Sequence, residues 1–412
     1  MLSDHIVPER LAAVCGTPSY VFSERLFSER AALVQEAFGP GVDICFSIKA
    51  NPFLLSILQE SFARVEVCSP GELRICRKLG IAPEKIVFSG VNKEYRDVEA
   101  ALEYGCGVIT AESPKHFDLI VRCAAELGIK ANVLLRLTGG SQFGMDESIL
   151  TDLIRKRDES AGVRITGIHY FTGTQKRKAA KIAKEIDEFE AFLARLEAET
   201  GYVPEEIEYG AGLAVDFFDK DPEEAEKVRL MEIAPRIREF GAVPGRRLTV
   251  EMGRFFAAPC GFYLTRAVDI KRNCGVGYAI LDGGLHQLKY DGQLAGMQIP
   301  GITHLKPEPE GGFAKAVLPA ESGGQAEDNY TLCGSLCTTM DVLARNVCLP
   351  GLSEGDVLVF HETGAYSVSE GMAAFLSRDL PAVWLLREDG SLVRAREKAE
   401  TFSWNCPSGE ES

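Results

Sequence analysis

Between about residues 40 and 252, short apolar runs alternate with amphipathic stretches. Eight of the runs have the length and β-branched or aromatic character of buried strands: ICFSI (44–48), RVEV (64–67), KIVF (85–88), GVIT (107–110), NVLLRL (132–137), RITGIH (164–169), EIEY (206–209) and LTVEM (248–252). The segments between them carry helical spacing. The clearest has Ile182, Ile186, Phe189, Leu193 and Leu196 at steps of 4, 3, 4 and 3, which places all five on one helix face. Eight strands alternating with helices predict an α/β fold, a (β/α)8 TIM-like barrel, for which ~250 residues is typical. A doubly wound open sheet gives the same alternation and is the competing architecture.

Past residue 260 the pattern changes. FYLTRAVDIKR, YAILDGG, YTLCGS, DVLVFHETG and AVWLLREDGSLVRA are extended-type runs broken by Gly, Asp and Asn, which predicts a mostly antiparallel C-terminal β-domain. TPSYVF (17–22) could add a strand to it. The domain assignment is 24–260 for the barrel, 1–23 with 261–400 for the β-domain, and 401–412 for a tail that frays from 405. Residues 306–328, rich in Pro, Gly and Glu, are expected to form an exposed loop or insertion.

Composition narrows the function. The chain has 412 residues and 46% apolar content, enough for about two to three domains with a substantial core. Lys plus Arg total 45 and Asp plus Glu 60, a net charge of −15. That argues against a general nucleic-acid or anionic-membrane binder, because polyphosphate surfaces select basic faces. A phosphate could be held only by a local site. Twelve cysteines are scattered without a C-x-x-C, and the six histidines do not cluster near them, so no metal site is expected. The start MLSDHIVPERLAAV lacks a basic n-region and apolar run, which fits a cytoplasmic protein with reduced thiols.

Catalytic groups in a barrel stand where strands end and the next loops begin. The first run ends in Ser47-Ile48-Lys49, and the fifth contains Arg136. The sixth leads into His169-Tyr170-Phe171-Thr172-Gly173-Thr174-Gln175, the seventh into Gly210-Ala211-Gly212, and the eighth into Glu251-Met252-Gly253-Arg254. Lys49 at a partly dry rim suits Schiff-base chemistry, although a lysine there can equally snorkel to water. Gly210-x-Gly212 allows close backbone approach to an anion, or simply a turn. Glu251 and Arg254 could meet a ring nitrogen and a phosphate, or each other. Thr174 could donate a hydroxyl or cap a helix starting near Lys176. An amine, a planar stacking residue, a phosphate cradle and a carboxylate together are the set that pyridoxal phosphate needs.

These residues carry a resemblance. FSIKANP (46–52), EVCSPGEL (66–73), FSGVNK (88–93), QFGMD (142–146), GIHYFTGTQ (167–175), YGAGLAVDFF (209–218), EMGRF (251–255), LCTTMD (336–341) and ETGAYSVSEG (362–371) stand in the order seen in the fold-type III pyridoxal-phosphate decarboxylases. This is the alanine-racemase-like barrel group that includes diaminopimelate and ornithine decarboxylases. The resemblance implies that Lys49 holds the cofactor and Glu251 pairs with its pyridine nitrogen. It implies that Thr174, Gly210, Gly212, Gly253, Arg254 and Tyr366 surround the phosphate and that Arg136 lies near the phenolic oxygen. Cys337 would enter from the partner subunit of a homodimer with shared sites and protonate the product carbon. Thr338, Asp341 and Tyr290 would lie on the substrate side.

Two departures bear on the substrate. Phe171 stands where well-known members stack a histidine on the cofactor, which keeps a ring and loses a hydrogen-bond donor. Thr338 stands where they carry the acid that grips a distal ammonium. The chain therefore is similar to the specialised biosynthetic branch. That branch includes the butirosin-pathway decarboxylase of carrier-tethered glutamate and siderophore-pathway decarboxylases of citryl conjugates. The expected activity is decarboxylation of an amino acid or conjugate without a distal ammonium. The alternatives are diaminopimelate decarboxylase proper, an amino-acid racemase, and a non-enzymatic binding relative. Lys176, Arg177, Lys178, Lys181 and Lys184 form a basic run at the expected start of the helix after the sixth run, unfavourable for the helix itself. It could attract an acyl carrier protein or polycarboxylate, or be a solvated face with Lys181–Glu185 and Lys184–Glu188 pairs.

Overall fold

The computed structural model describes residues 6–219, 221–316 and 326–407. Among them the contacts divide the chain into two units. One comprises Ser28–Val215 and Glu224–Phe256; the other runs up to Phe27, takes in Asp216–Glu223 and resumes at Ala257.

The first unit is a closed barrel of eight parallel strands. They are β2 (Val42–Ser47), β3 (Phe62–Val67), β4 (Ile86–Phe88), β5 (Val108–Ala111), β6 (Ala131–Leu137), β7 (Val163–Phe171), β8 (Glu206–Gly210) and β9 (Arg247–Met252), with β1 (Ser19–Ser23) preceding them in the second unit. Each of the eight apolar runs became a strand within a few residues of its expected bounds. The open-sheet alternative is excluded by closure: β2 pairs with β9 from Val42↔Leu248 to Phe46↔Met252. β7 outruns its sequence signal because Tyr170 and Phe171 continue the ladder against Tyr209 and Gly210.

Helices α1 (Pro8–Cys15), α2 (Glu24–Phe38), α3 (Pro70–Leu79), α4 (Tyr95–Tyr104), α5 (Pro114–Leu127), α6 (Glu147–Arg155), α7 (Ala179–Thr200) and α8 (Pro222–Gly241) alternate with the strands from α2 onward. Their ends follow capping rules. Ser69 caps α3 by accepting from the Glu72 amide at 3.1 Å, and Gly80 closes it in the left-handed conformation. α7 buries Ile182, Ile186, Phe189, Leu193 and Leu196, the face its spacing predicts.

α7 starts later than expected, and Thr174 does not cap it. The N-cap is Lys178, without a side-chain bond. Residues 175–176 are instead laced to the loop after β8. The Lys176 amide donates to the Gly212 carbonyl at 2.9 Å, and the Val215 amide donates to Gln175 Oε1 at 2.8 Å. Gln175 takes φ of +55° and Lys176 forms a parallel bridge with Leu213, neither of which is helical backbone, so the helix cannot begin there.

The second unit is a mostly antiparallel sheet. Its strands are β1, β10 (Gly261–Asn273), β11 (Val276–Leu281), β12 (Ile302–Pro307), β13 (Phe313–Lys315), β14 (Asn329–Cys333), β15 (Val342–Cys348), β16 (Val357–Phe360), β17 (Ala382–Leu386) and β18 (Leu392–Arg396). The order is β13-β12-β16-β10-β1-β17-β18, with β11, β14 and β15 branching from β10. TPSYVF thus supplies an interior strand, antiparallel to β10 and parallel to β17. Val21, Phe262, Leu264, Leu305, Val357, Val359 and Trp384 make a buried core against it.

The segment expected to be a loop at 306–328 needs correction. Lys306 and Pro307 finish β12, and β13 folds back on them through a turn in which Gly311 and Gly312 take φ of +92° and +95°. Residues 317–325 lie outside the described residues. The expected fraying from 405 is also corrected at its start, since Asn405 Nδ2 donates to the Ala374 carbonyl at 2.7 Å and to Ser377 Oγ at 2.9 Å. Residues 408–412 lie outside the described residues.

Candidate active site

In the barrel unit the carboxyl ends of the strands gather a connected set of ionisable groups. Lys49 sits in a short turn, Ile48–Ala50, directly after β2. Its Nζ lies 2.7 Å from Glu66 Oε2, 3.5 Å from Cys68 Sγ and 3.7 Å from Glu251 Oε1. The lysine side chain is 39% exposed, whereas Glu66 and Glu251 are almost wholly buried. Lys49 is therefore a partly exposed side chain whose ammonium is held by two carboxylates. The Cys68 thiol donates to the other Glu66 oxygen at 3.1 Å. Cys68 is fixed in turn by the EVCSPGEL turn: its amide donates to Glu72 Oε2 at 2.6 Å, while Glu72 completes the Ser69 cap.

Glu251, at the end of β9, accepts from Ser47 Oγ at 2.9 Å and meets His169 Nε2 at 3.0 Å. Burial opposes its ionisation, but Lys49, His169 and Ser47 outweigh burial and hold its carboxyl well below the usual carboxylate range. Its neighbour on β8, Glu208, is 1% exposed, and neither of its carboxylate oxygens has a hydrogen-bond partner among the described residues. One ligand-type atom from each of His169, Glu208 and Glu251 lies within 4.8 Å of the others.

A second pair lies along the rim. Arg136 Nη1 is 2.6 Å from Glu112 Oε1, and the Gly144 amide donates to Glu112 Oε2 at 3.0 Å. The Arg136 guanidinium faces the Phe143 ring at 4.8 Å and the Phe171 ring at 6.0 Å. Lys93 is buried nearby, its ammonium donating to the Gly90 carbonyl. Burial lowers Lys93 to about 8, against the opposing pull of Glu112.

The glycines of this rim are required by space. A Cβ on Gly210 would stand 2.2 Å from the Phe171 ring, so that side chain lies directly against the β8 backbone. Gly212, at φ +61°, would bring a Cβ to 2.1 Å from the Gly173 carbonyl oxygen. On Gly253 it would stand 2.9 Å from Ala50 Cβ. These three glycines and Arg254, which opens the turn Arg254–Ala257, stand at the barrel rim, where side-chain-free backbone allows close approach of an anion. An amine, a carboxylate, a flat ring and a glycine cradle thus stand together, and they fit pyridoxal phosphate. Thr174 is exposed on the same loop.

The remaining expected site residues belong to the second unit. Cys337 is exposed and Thr338 half-buried. Tyr366 takes φ of +64°, a left-handed conformation costly for a side-chain-bearing residue and common at functional sites. Asp341, expected on the substrate side, is instead 2% exposed, its two oxygens accepting the Leu285 and Leu336 amides at 2.7 Å each. Burial raises its carboxyl, against those two bonds. It clips two loops together. Tyr290 is likewise buried, donates to the His361 carbonyl at 2.5 Å and packs against Phe217 and Phe218.

The basic run is broken up. Lys176 is buried and paired with Glu185 at 2.5 Å, so the expected Lys181–Glu185 pair is pre-empted, whereas Lys184–Glu188 forms at 3.4 Å. Sequence reasoning missed Glu66, Cys68, Lys93, Glu112 and Glu208 as site residues. Extending the strand-end rule to the second, third and fourth strands would have found Glu66, Cys68, Lys93 and Glu112. Glu208 sits inside an apolar strand and gives no such signal.

Residues 24–258 match the family model described as the pyridoxal-dependent decarboxylase, pyridoxal binding domain. The chain is 29% identical to a diaminopimelate decarboxylase of Zymomonas mobilis subsp. mobilis over 97% of its own length and 94% of the relative's. It is 26% identical to the L-glutamyl-[BtrI acyl-carrier protein] decarboxylase of Niallia circulans, over 93% and 91%. Its fold matches diaminopimelate decarboxylase from Helicobacter pylori complexed with L-lysine, with a TM-score of 0.81 at 23% identity, covering 97% and 98% of the two chains. No helix among the described residues is long and apolar enough to cross a membrane. The glycine-lined rim and its buried carboxylates are thus those of a fold-type III enzyme, and the chain belongs to the pyridoxal-dependent decarboxylases, carboxy-lyases that act on amino acids with pyridoxal phosphate as cofactor.

Proposed function

We propose that the substrate is an amino acid, or an amino acid tethered to a carrier or polycarboxylate, whose distal end carries no ammonium ion. One observation carries this reading. Between Gly334 and Asp341 the only acid is Asp341, and both of its oxygens are consumed by backbone amides. A distal ammonium would find no free carboxylate in that segment, and leaving such a charge unpaired in a site is costly. The similarity to a decarboxylase of glutamyl-loaded acyl-carrier protein supports it. The names of the other relatives favour a second reading, diaminopimelate itself.

The residues then divide the work. Lys49 Nζ would be the amine that holds the cofactor, and Glu66, 2.7 Å away, would keep that amine in place. Glu251 would hold a proton at the ring nitrogen, Phe171 would stack on the ring, and Arg136 would lie by the phenolic oxygen. Thr174, Gly210, Gly212, Gly253, Arg254 and Tyr366 would hold the phosphate. When bound, pyridoxal phosphate supplies the conjugated system that accepts the electron pair left by CO2. Cys337 Sγ, from the second subunit of a homodimer, would deliver the proton to the product carbon, the role of a positioned acid.

The test is CO2 release, followed by mass spectrometry, from diaminopimelate, lysine, ornithine, glutamate, a citryl conjugate and glutamyl-loaded carrier protein. We expect turnover of a substrate from the last three and none after Lys49→Ala. Turnover of diaminopimelate at a rate equal to or above those three would reject the reading.

A further inference from the structure

The barrel interior holds more carboxylates than its cations can pair. Glu66 takes Lys49, and Glu206 takes the buried Arg64. Glu251 is surrounded by Ser47, His169 and Lys49. Among the described residues Glu208 is left with no hydrogen bond at either oxygen, although it is almost wholly enclosed. Facing it are Glu251 on β9, Glu206 on its own strand, Arg64 and Glu66 on β3, Cys45 on β2 and His169 on β7. Three of these are carboxylates, and the one guanidinium is already committed.

We propose that Glu208 is a positioning residue that keeps its carboxyl proton in the folded enzyme, so that the Glu208–Glu251 pair carries one negative charge and that charge resides on Glu251. An isolated buried carboxylate costs far more than a neutral acid, and two carboxylates this close do not both ionise. The hydrogen bonds decide which of the two stays ionised. Glu251 has donors around it and Glu208 has none. Burial, then Glu251, raise the Glu208 carboxyl well above its ordinary value. The consequence is functional if Glu251 meets the cofactor's ring nitrogen, as proposed above. A second charge at Glu208 would compete for that proton, and a neutral acid leaves Glu251 as the sole acceptor.

The proton is observable without turnover. Infrared spectra of the whole protein at about pH 8, well above ordinary glutamate titration, should show the carbonyl stretch of a protonated carboxyl group. That band should shift when glutamate is 13C-labelled and should be absent from Glu208→Gln. The labelling result needs no variant, so a misfolded Glu208→Gln does not block the test. A second reading is urea unfolding. A proton held by the folded but not the unfolded chain makes wild type lose stability relative to Glu208→Gln as pH rises from about 4.5 towards neutrality. No labelled band, a band that survives Glu208→Gln but disappears in Glu251→Gln, or a stoichiometric divalent cation lost with Glu208 would each overturn the assignment. A wild-type protein that shows the band yet prefers diaminopimelate would uphold the proton and reject only the substrate reading.

Discussion

The pairing of single side chains decides what Lys49 and Glu251 can do. Glu251 is ionised because Lys49, His169 and Ser47 outweigh its burial. Glu251→Gln should therefore remove a charge-assisted bond of about 1.5–3 kcal/mol, or roughly 10- to 100-fold in kcat, with tight cofactor retention reduced as well. Steady-state kinetics with saturating cofactor would check it, and an unchanged kcat would deny Glu251 its place. Lys93 gives a prediction in stability. Burial lowers it from 10.5 to about 8. Between those values the unfolded chain holds a proton that the folded chain has released, so stability rises with pH across the window. Denaturation of wild type beside Lys93→Met should show wild type gaining on the variant from about pH 8 to 10.5, and a flat or falling difference would contradict it. Residue types were legible at this scale and their partners were not. FSIKANP exposes Lys49 to the reader, but Glu66 and Glu251 reach it from strands 17 and 202 positions away. Only the closed barrel brings them together.

At the scale of elements, the loops after β7 and β8 behave as one piece, joined through Lys176, Gly212 and Gln175. Gly212→Ala would force a side chain into a left-handed position and against the Gly173 carbonyl. The expected result is a loss of about 1–3 kcal/mol of stability together with much weaker cofactor retention, read by thermal unfolding and by equilibrium dialysis. The start of α7 allows a sharper comparison. Lys176–Glu185 is buried and Lys184–Glu188 is exposed. Glu185→Gln leaves a buried ammonium unpaired and should cost about 3–5 kcal/mol, whereas Glu188→Gln should cost well under 1 kcal/mol. Equal costs in urea titrations would refute the distinction. The eight strands were legible because apolar runs and burial coincide in a parallel barrel. The start of α7 was not, because hydrogen bonds to a loop 36 residues away, at Gly212, override a sequence otherwise able to be helical.

For the molecule as a whole, the barrel and the β-domain were both readable from the switch in hydrophobic pattern near residue 260. The interior position of β1 was not, because a strand's place in a sheet depends on partners at least 239 residues distant. The same limit applied to charge. The sequence suggested a basic run that could draw in an acidic partner against a net charge of −15. The structure removes Lys176 from that run and pairs Lys184 with Glu188, which leaves three exposed cations of the five against the net charge of the whole chain. The net charge predicts a sign. For a polyanionic substrate such as a citryl conjugate or an acidic carrier protein, like charge slows encounter, and added salt screens the repulsion over a Debye length of about 10 Å at 0.1 M. Raising sodium chloride from about 10 mM to about 150 mM should therefore increase kcat/KM for such a substrate, severalfold if encounter limits the rate. A neutral amino acid measured alongside should show little change. If kcat/KM for the polyanion falls with salt, attraction by a local cationic surface wins over the net field, and the remaining exposed cations Arg177, Lys178 and Lys181 become the residues to reverse.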